Sequence, residues 1–174
     1  MQNYYIDTDH LHSYIFLKDP NLKKVLGNIH EEQLRAENLK KIIFNRSKEI
    51  HIKVPFIVFW ELFNNINKYN STLNNINLDY LNNELFSLFK EDHVDLIPPS
   101  RECYNLADTI LSKDSRFDST DALIVSQALS DKDSVCIFSS DNTIAQSFGV
   151  GIISELNKKL CDDGERVKPL KIYE

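Results

Sequence analysis

Four acidic residues stand where a carboxylate could take part in chemistry. Asp7 and Asp141 follow the short apolar runs YYI and VCIF, which are typical of buried strands. Asp121 lies in the first turn of a predicted helix, and Glu61 lies within an otherwise apolar helical segment. In an open parallel sheet, ligands bind beyond the C-terminal ends of the strands, so these carboxylates could share one pocket. The alternative interpretation of Asp121 and Asp141 is helix capping.

Carboxylates that share a pocket repel each other. Two of them about 4 Å apart repel by roughly 4 kcal/mol at an effective dielectric constant of about 20. A cluster of acids without cations is therefore unstable or raises some of its pKa values. Mg²⁺ and Mn²⁺ prefer oxygen ligands and keep several waters, and such ions can orient a water molecule and neutralise a phosphodiester. Four clustered acids therefore indicate a divalent-metal site.

Strand-like and helical patterns alternate along the chain. Apolar or alternating runs predict strands at residues 4–6, 50–54, 94–97, 135–138 and 152–153, with a weaker pattern at 170–172. Segments of helical periodicity separate these runs. In the helix predicted over 30–45 we expect four residues in the core, Leu34, Leu39, Ile42 and Ile43. The alternation predicts an α/β fold, a three-layer α/β/α sandwich around a mainly parallel sheet of about five strands.

Length and composition predict one domain, residues 1–174. The chain has no apolar run of the ~20 residues that a membrane helix needs, and no signal sequence at its start, so we expect a cytoplasmic protein without membrane contact. Cys103, Cys136 and Cys161 lack metal-binding or disulfide spacing and are expected to be reduced thiols. The net charge of −6 means that any bound nucleic acid needs a local basic groove or metal ions.

The segments around the four acids resemble those of the PIN domain family, metal-dependent nucleases that include the toxins of toxin–antitoxin pairs. The matching segments are YYIDTD, VPFIVFWELFNN, STDALIVSQAL and CIFSSDNTI, in the order in which the family has them. The resemblance covers about residues 4–153 and leaves a charged C-terminal extension, residues 154–174. This extension and the region before Glu61 look longer than in compact toxin members.

The resemblance implies a function and a set of partners. It implies a divalent-metal-dependent endoribonuclease that hydrolyses phosphodiester bonds in single-stranded or loop RNA, with Mg²⁺ or Mn²⁺ as cofactor. The implied partners are an RNA substrate, an antitoxin protein and a second copy of the chain. All of these are expectations that rest on the family and not on this sequence alone.

The resemblance also implies roles for individual residues. Asp7, Asp121 and Asp141 would be metal ligands, directly or through water. Glu61 would hold metal-bound waters or position the attacking water. Supporting contacts to the ligands or the substrate are expected from Thr8, Asp9, Asp118, Ser139 and Ser140. For Asp9 and Asp118, helix capping is the favoured interpretation.

Two other functions remain open at this point. Asp7-Thr8-Asp9 resembles the nucleophile loop of haloacid dehalogenase-like phosphatases. Their loop reads D-x-D-x-T or D-x-D-x-V, whereas this chain continues after Asp9 with His10-Leu11. Those enzymes also need a later lysine and a further acidic motif, which CIFSSD could supply. The other alternative is a non-catalytic PIN-like module that binds RNA or protein, although the presence of all four acids argues against it.

Overall fold

The computed structural model describes residues 2–43, 50–73 and 76–173. Strands and helices alternate along it. The strands are β1 (Gln2–Ile6), β2 (Ile50–Pro55), β3 (Val94–Ile97), β4 (Ser134–Phe138) and β5 (Lys171–Tyr173). The helices are α1 (Thr8–Phe16), α2 (Ile29–Ile43), α3 (Phe56–Thr72), α4 (Leu78–Leu88), α5 (Arg101–Lys113), α6 (Ser119–Ser130), α7 (Asn142–Gly149) and α8 (Ile152–Asp162), with a short 3₁₀ turn at Leu22–Val25.

The strands form one parallel sheet in the order β3-β2-β1-β4-β5, with β1 at its centre. Tyr4 of β1 lies beside Ile52 of β2 and Cys136 of β4. At the end of β1, Ile6 lies beside Phe138. Because the strands are parallel, the C-terminal ends of β1, β2 and β4 meet at the same edge of the sheet. Ligands are expected at this edge in open α/β sheets.

Helices cover both faces of the sheet and form the outer layers of the sandwich. The helices α1 to α4 pack on one face through a cluster that includes Phe16 and Leu62, both fully buried. On the other face, α5 to α8 pack through a second cluster that includes Ile110 and Ile153. Each large apolar side chain that is fully buried contributes about 1.5–3 kcal/mol, so the two clusters hold the sheet edge in place. The three-layer α/β/α sandwich predicted from the sequence is confirmed.

Residues 152–153 do not form a strand, and that prediction was wrong. They begin α8, whose first turn packs Ile152 and Ile153 into the core. Leu156 and Leu160 follow at helical spacing and pack against the same cluster, so the periodicity continues beyond the two isoleucines. The fifth strand is β5, one residue later than the weaker pattern at 170–172 predicts.

One of the predicted core residues of α2 is exposed. The side chain of Leu34 is 53% exposed, whereas Leu39 and Ile43 are buried against α1 and the sheet. Leu34 is five residues before Leu39 and nine before Ile43, spacings that turn it away from their helical face. The last two positions of the predicted helix, residues 44–45, lie outside the described residues.

The C-terminal extension is built into the fold through two buried polar side chains. Arg166 is 3% exposed and donates hydrogen bonds to the carbonyl groups that end α6 and lead to β4, those of Ala128, Leu129, Asp131 and Ser134. The side chain of Asn157 in α8 exchanges two hydrogen bonds with the backbone of Leu170, at 2.7 and 2.8 Å. These contacts fix the position of β5 at the edge of the sheet.

No helix in the described part of the chain is both long enough and apolar enough to cross a lipid bilayer. Cys103, Cys136 and Cys161 are free thiols, as the sequence predicts.

A candidate active-site cleft at the edge of the sheet

A cleft of about 300 Å³ opens at the C-terminal edge of the sheet, between the starts of α1, α6 and α7 and the first turns of α3. Its lining residues are Asp7, Thr8, Asp9, Glu61, Asp118, Thr120, Asp121, Ser140 and Asp141. Six of these nine residues are acidic, and none is a lysine or an arginine. All four carboxylates singled out from the sequence line this one cleft, together with four of the five supporting residues.

Asp7 lies at the bottom of the cleft and is 5% exposed. It caps α1, since its Oδ1 accepts a hydrogen bond from the amide of Thr8 at 2.6 Å. Its Oδ2 accepts a second hydrogen bond, also of 2.6 Å, from the hydroxyl of Ser139. Burial, together with the negative charges of Asp9 and Asp121, raises the pKa of Asp7 to about 7 although these hydrogen bonds act to lower it.

Asp141 enters the cleft from the turn between β4 and α7. It caps α7, and one oxygen, Oδ1, accepts the hydrogen bonds from the amides of Thr143 and Ile144 at 2.7 and 2.9 Å. The amide of Asp141 donates to the hydroxyl oxygen of Ser139 at 3.1 Å. Asp141 therefore combines the two interpretations of its sequence position: it caps a helix and it presents a carboxylate to the cleft.

Glu61 reaches the cleft from the side of α3. The buried face of this helix carries Val58, Leu62 and Ile66, and Glu61 lies beside that face, half-buried. The hydroxyl of Thr8 donates to Oε2 of Glu61 at 2.8 Å. The burial cost of an acid on an apolar helix is thus reduced by a hydrogen bond and by the opening of the cleft.

Asp118 and Asp121 have different positions at the start of α6. Asp118 caps the helix, as predicted, because its Oδ1 accepts from the amide of Asp121 at 2.9 Å. Asp121 is not the capping residue of α6, and its side chain lines the cleft. Burial and the neighbouring charges, chiefly those of Asp118 and Asp141, raise the pKa of Asp121 to about 7.

Asp7, and not Asp9, is the N-cap residue of α1, contrary to the favoured interpretation. Asp9 lies in the first turn, where its Oδ1 accepts a hydrogen bond of 2.7 Å from the amide of His10 and lies 2.8 Å from Nδ1 of the same residue. Its Oδ2 accepts hydrogen bonds from the amide and the hydroxyl of Ser140. Burial acts to raise the pKa of Asp9, but His10 and Ser140 outweigh it and hold this pKa at about 2. Asp9 therefore adds a carboxylate that stays ionised at neutral pH. Thr120 also lines the cleft but is not among the residues predicted from the sequence, where only its place next to Asp121 indicates it.

The donor atoms of the cleft are of the kind that hard divalent cations bind. Its donors are carboxylate and hydroxyl oxygens, which Mg²⁺ and Mn²⁺ prefer. Burial first, and then the charges of the neighbouring acids, raise the pKa values of Asp7 and Asp121, and a bound cation would offset both. Within residues 2–43, 50–73 and 76–173, however, no group of three or more acidic, histidine or cysteine side chains is arranged to hold a metal ion as it stands. An ion that keeps part of its water shell, as Mg²⁺ usually does, needs fewer direct ligands from the protein.

Comparison with known proteins relates the chain to a solved structure through its fold. No model of a known protein family matches the chain, and no curated protein matches it. Its fold is similar to the crystal structure of VapBC2 from Rickettsia felis bound to a DNA fragment from their promoter. The similarity has a TM-score of 0.53, covers 99% of this chain and 100% of that chain, and comes with 13% sequence identity. At so low an identity, the likeness shows that the two chains share the α/β fold with a parallel sheet.

Proposed function

We propose that this protein is a PIN-like nuclease, a divalent-metal-dependent endoribonuclease that hydrolyses phosphodiester bonds in single-stranded RNA. Its reacting groups would lie in the acidic cleft. Asp7, Asp121 and Asp141 would hold Mg²⁺ or Mn²⁺, directly or through water, and Glu61 would position the attacking water. The bound ion would supply charge neutralisation at the phosphate and a more acidic water molecule.

The observation that carries the proposal is the convergence of six carboxylates on one cleft without a compensating lysine or arginine among its lining residues. An arrangement of this kind lowers the stability of the metal-free protein, because the pKa of two of its acids is raised to about 7. A structural role does not require this cost, whereas a cation-binding role does. The fold shared with the VapBC2 structure is consistent with the sequence resemblance to PIN domains.

The chain's own side chains have separate tasks in this proposal. Thr8 orients Glu61 through the hydrogen bond between them, which would fix the water that Glu61 holds. Asp9 keeps a permanent negative charge at the cleft wall and ties Ser140 to α1. The hydroxyl of Ser139 donates a hydrogen bond to Asp7 and accepts one from the amide of Asp141, so it positions both residues. Electrostatic stabilisation by groups fixed in advance is usually the largest contribution to catalysis.

Two features of the cleft argue against the phosphatase alternative. Haloacid dehalogenase-like phosphatases need a lysine beside the nucleophilic aspartate, and no lysine lines the cleft among the described residues. Both carboxylate oxygens of Asp7 also accept hydrogen bonds from the protein, which lowers their nucleophilicity.

The same resemblance that suggests RNA as substrate suggests a cytoplasmic location, an antitoxin protein that silences the enzyme, and a homodimer.

Incubation of the purified protein with end-labelled single-stranded RNA tests the proposal. We expect cleavage with Mn²⁺ or Mg²⁺ and none with EDTA, and no cleavage by an Asp121→Asn variant prepared in parallel, which controls for contaminating ribonucleases. Cleavage that continues in EDTA, or that both proteins perform equally, would contradict it. Binding of RNA without cleavage with any divalent metal would favour the non-catalytic alternative. Release of phosphate from small esters, with phosphate trapped on Asp7, would favour the phosphatase.

A further inference from the structure

A second hollow, of about 550 Å³, lies along β4 and β5, and the acidic cleft does not include its residues. Its lining residues are Gln2, Tyr4, Val135, Cys136, Lys168, Pro169, Lys171, Ile172 and Tyr173. Lys171 and Tyr173 pair in register with Cys136 and Phe138, which belong to the core cluster under α1 to α4. The hollow therefore opens on the sheet face that carries these helices, at the end of the sheet where β5 is the edge strand.

The hollow is positively charged although the chain as a whole carries a net charge of −6. Lys168 and Lys171 are both exposed, and neither forms a salt bridge within the described part of the chain. No carboxylate is found among the residues that line the hollow. Two unpaired cations that line the same hollow attract an anion.

An aromatic row crosses the sheet into this hollow. The ring of Phe138 lies between Tyr4, with 5.9 Å between the ring centroids, and Tyr173, at 4.9 Å. Phe138 is buried, while Tyr173 is 51% exposed. The ring of Tyr173 thus packs against the buried ring of Phe138 and remains half exposed to solvent. Lysines combined with exposed aromatic rings are the combination that binds single-stranded nucleic acid, through phosphate contacts and base stacking.

The hollow and the acidic cleft meet at one turn. The amide of Ser139 donates to the carbonyl of Tyr173 at 3.1 Å, and the hydroxyl of Ser139 donates to Asp7 at 2.6 Å. Tyr173 and Asp7 are therefore joined through a single residue. Ser140, the next residue, lines the cleft. A strand that places one phosphate at Asp7 can continue over this turn toward Tyr173 and Lys171.

We infer that this hollow binds the nucleotides that flank the scissile phosphate of a single-stranded RNA, with Lys168 and Lys171 on phosphates and Tyr173 stacked on a base. The inference rests on the proposed function, and it identifies the local basic surface that an acidic nuclease needs for a polyanionic substrate. An acidic segment of a protein partner is the other occupant that two lysines could attract, and the experiment separates the two.

The test measures RNA affinity without catalysis. A fluorescein-labelled single-stranded RNA is titrated in EDTA at several low salt concentrations, and its anisotropy is followed. The test variant is Lys168→Gln with Lys171→Gln. The matched control is Lys158→Gln with Lys159→Gln, which changes the net charge equally on exposed positions of α8, across the sheet. We expect roughly tenfold weaker binding for the test variant, and a salt slope reduced by about 1.4, because each phosphate contact contributes about 0.7 in single strands. The control should bind like the wild type.

The tyrosine is tested by a second pair of variants. Tyr173→Ala keeps the backbone carbonyl that receives the hydrogen bond from Ser139 but removes the ring, so we expect affinity to fall by about fivefold or more. Tyr173→Phe keeps a ring that can stack and should bind like the wild type. Thermal unfolding of both variants shows whether β5 still folds.

Each outcome of these titrations decides the inference. Equal affinities and salt slopes for the hollow and control variants would overturn it, and an acidic polypeptide would become the candidate occupant. Absence of measurable binding by the wild type at low salt would overturn it as well. If the hollow variants bind normally while the wild type cleaves RNA, only the hollow's role fails. If binding depends on the hollow but no metal supports cleavage, the nuclease proposal fails and the RNA surface remains.

Discussion

The hydroxyl of Ser139 donates a 2.6 Å hydrogen bond to Oδ2 of Asp7, a residue 132 positions earlier in the chain. This bond joins the end of β4 to the end of β1, both of them buried at this point. It stabilises the ionised form of Asp7 against burial and against its acidic neighbours. The amide of Asp141 donates to the same hydroxyl oxygen, so one serine positions two of the acids in the cleft.

Ser139→Ala should therefore lower stability in a pH-dependent way. In EDTA, we expect the free energy of unfolding to fall by about 1–3 kcal/mol at pH 8, where Asp7 is largely ionised, and by less at pH 5, where it is protonated. Ser126→Ala is the control, because Ser126 is equally buried but donates only to Ala122 of its own helix. Urea unfolding at both pH values measures the effect. A loss of equal size at pH 5 and pH 8 would show that the bond does not act on the ionised carboxylate.

The metal-free protein should lose stability as the pH rises. The pKa values of Asp7 and Asp121 are raised to about 7 in the folded state, against about 3.9 for an unfolded aspartate. The folded state therefore holds more protons between these values, and stability present below pH 4 is lost as the pH rises through about 7. We expect Asp121→Asn to flatten this decline and Mn²⁺ to reverse it in the wild type. Chemical unfolding in EDTA between pH 4.5 and 8 measures it, and a wild-type stability that rises over this range more than that of the variant would contradict the expectation.

Asp121→Asn and Asp118→Ala should separate catalysis from helix capping. Asp121 does not cap α6, so its replacement should leave metal-free stability unchanged or higher, while RNA cleavage in Mn²⁺ falls by orders of magnitude. Asp118 accepts the capping hydrogen bond, so its replacement should cost about 1 kcal/mol of stability. Its cleavage rate should fall far less. Melting temperature in EDTA and cleavage in Mn²⁺ are measured on the same preparations. A destabilised Asp121→Asn variant that cleaves at the wild-type rate would refute the assignment.

Thr8 provides a test of how Glu61 is oriented. Thr8→Val keeps the branched shape of the side chain but removes the donor of the 2.8 Å hydrogen bond to Glu61. We expect RNA cleavage to fall by roughly 10- to 100-fold, the usual effect of losing a partner that orients a metal-site residue. Thr8→Ser keeps the hydroxyl and should retain most of the activity. Single-turnover cleavage assays compare the two variants, and equal rates would show that Glu61 needs no such support.

Arg166 should be essential for the stability of the C-terminal extension. Arg166→Met removes the donor for several buried carbonyl groups at the end of α6, and we expect a loss of about 3 kcal/mol or more. Arg166→Lys keeps the charge but loses the planar guanidinium group, so the stability of this variant should lie between that of Arg166→Met and that of the wild type. Thermal unfolding ranks the three proteins. Hydrogen exchange at β5 adds a local readout, and unchanged protection of Lys171–Tyr173 in the Met variant would argue against the anchoring role.

The α/β fold and the composition of the cleft were predictable from the sequence because both depend on local patterns. An apolar run followed by an acid places that acid at a strand end, as for Asp7 and Asp141, and parallel strands bring such ends together. The same kind of pattern failed at residues 152–153, since two isoleucines are compatible with a strand or with a helix turn. Only the helical spacing of Leu156 and Leu160 distinguishes the two.

The tertiary structure decided which acids cap helices and which face the cleft, since that depends on side-chain direction. Asp9 and Asp118 look alike in the sequence, but Asp9 binds Ser140 in the turn after β4, whereas Asp118 is the N-cap residue of α6. The packing also determined the hollow beside β5, because Tyr4 and Lys171 are far apart in the chain and share a surface only through the order of the strands. Burial, charge and hydrogen bonding of this kind arise between segments distant in sequence, and no local pattern encodes them.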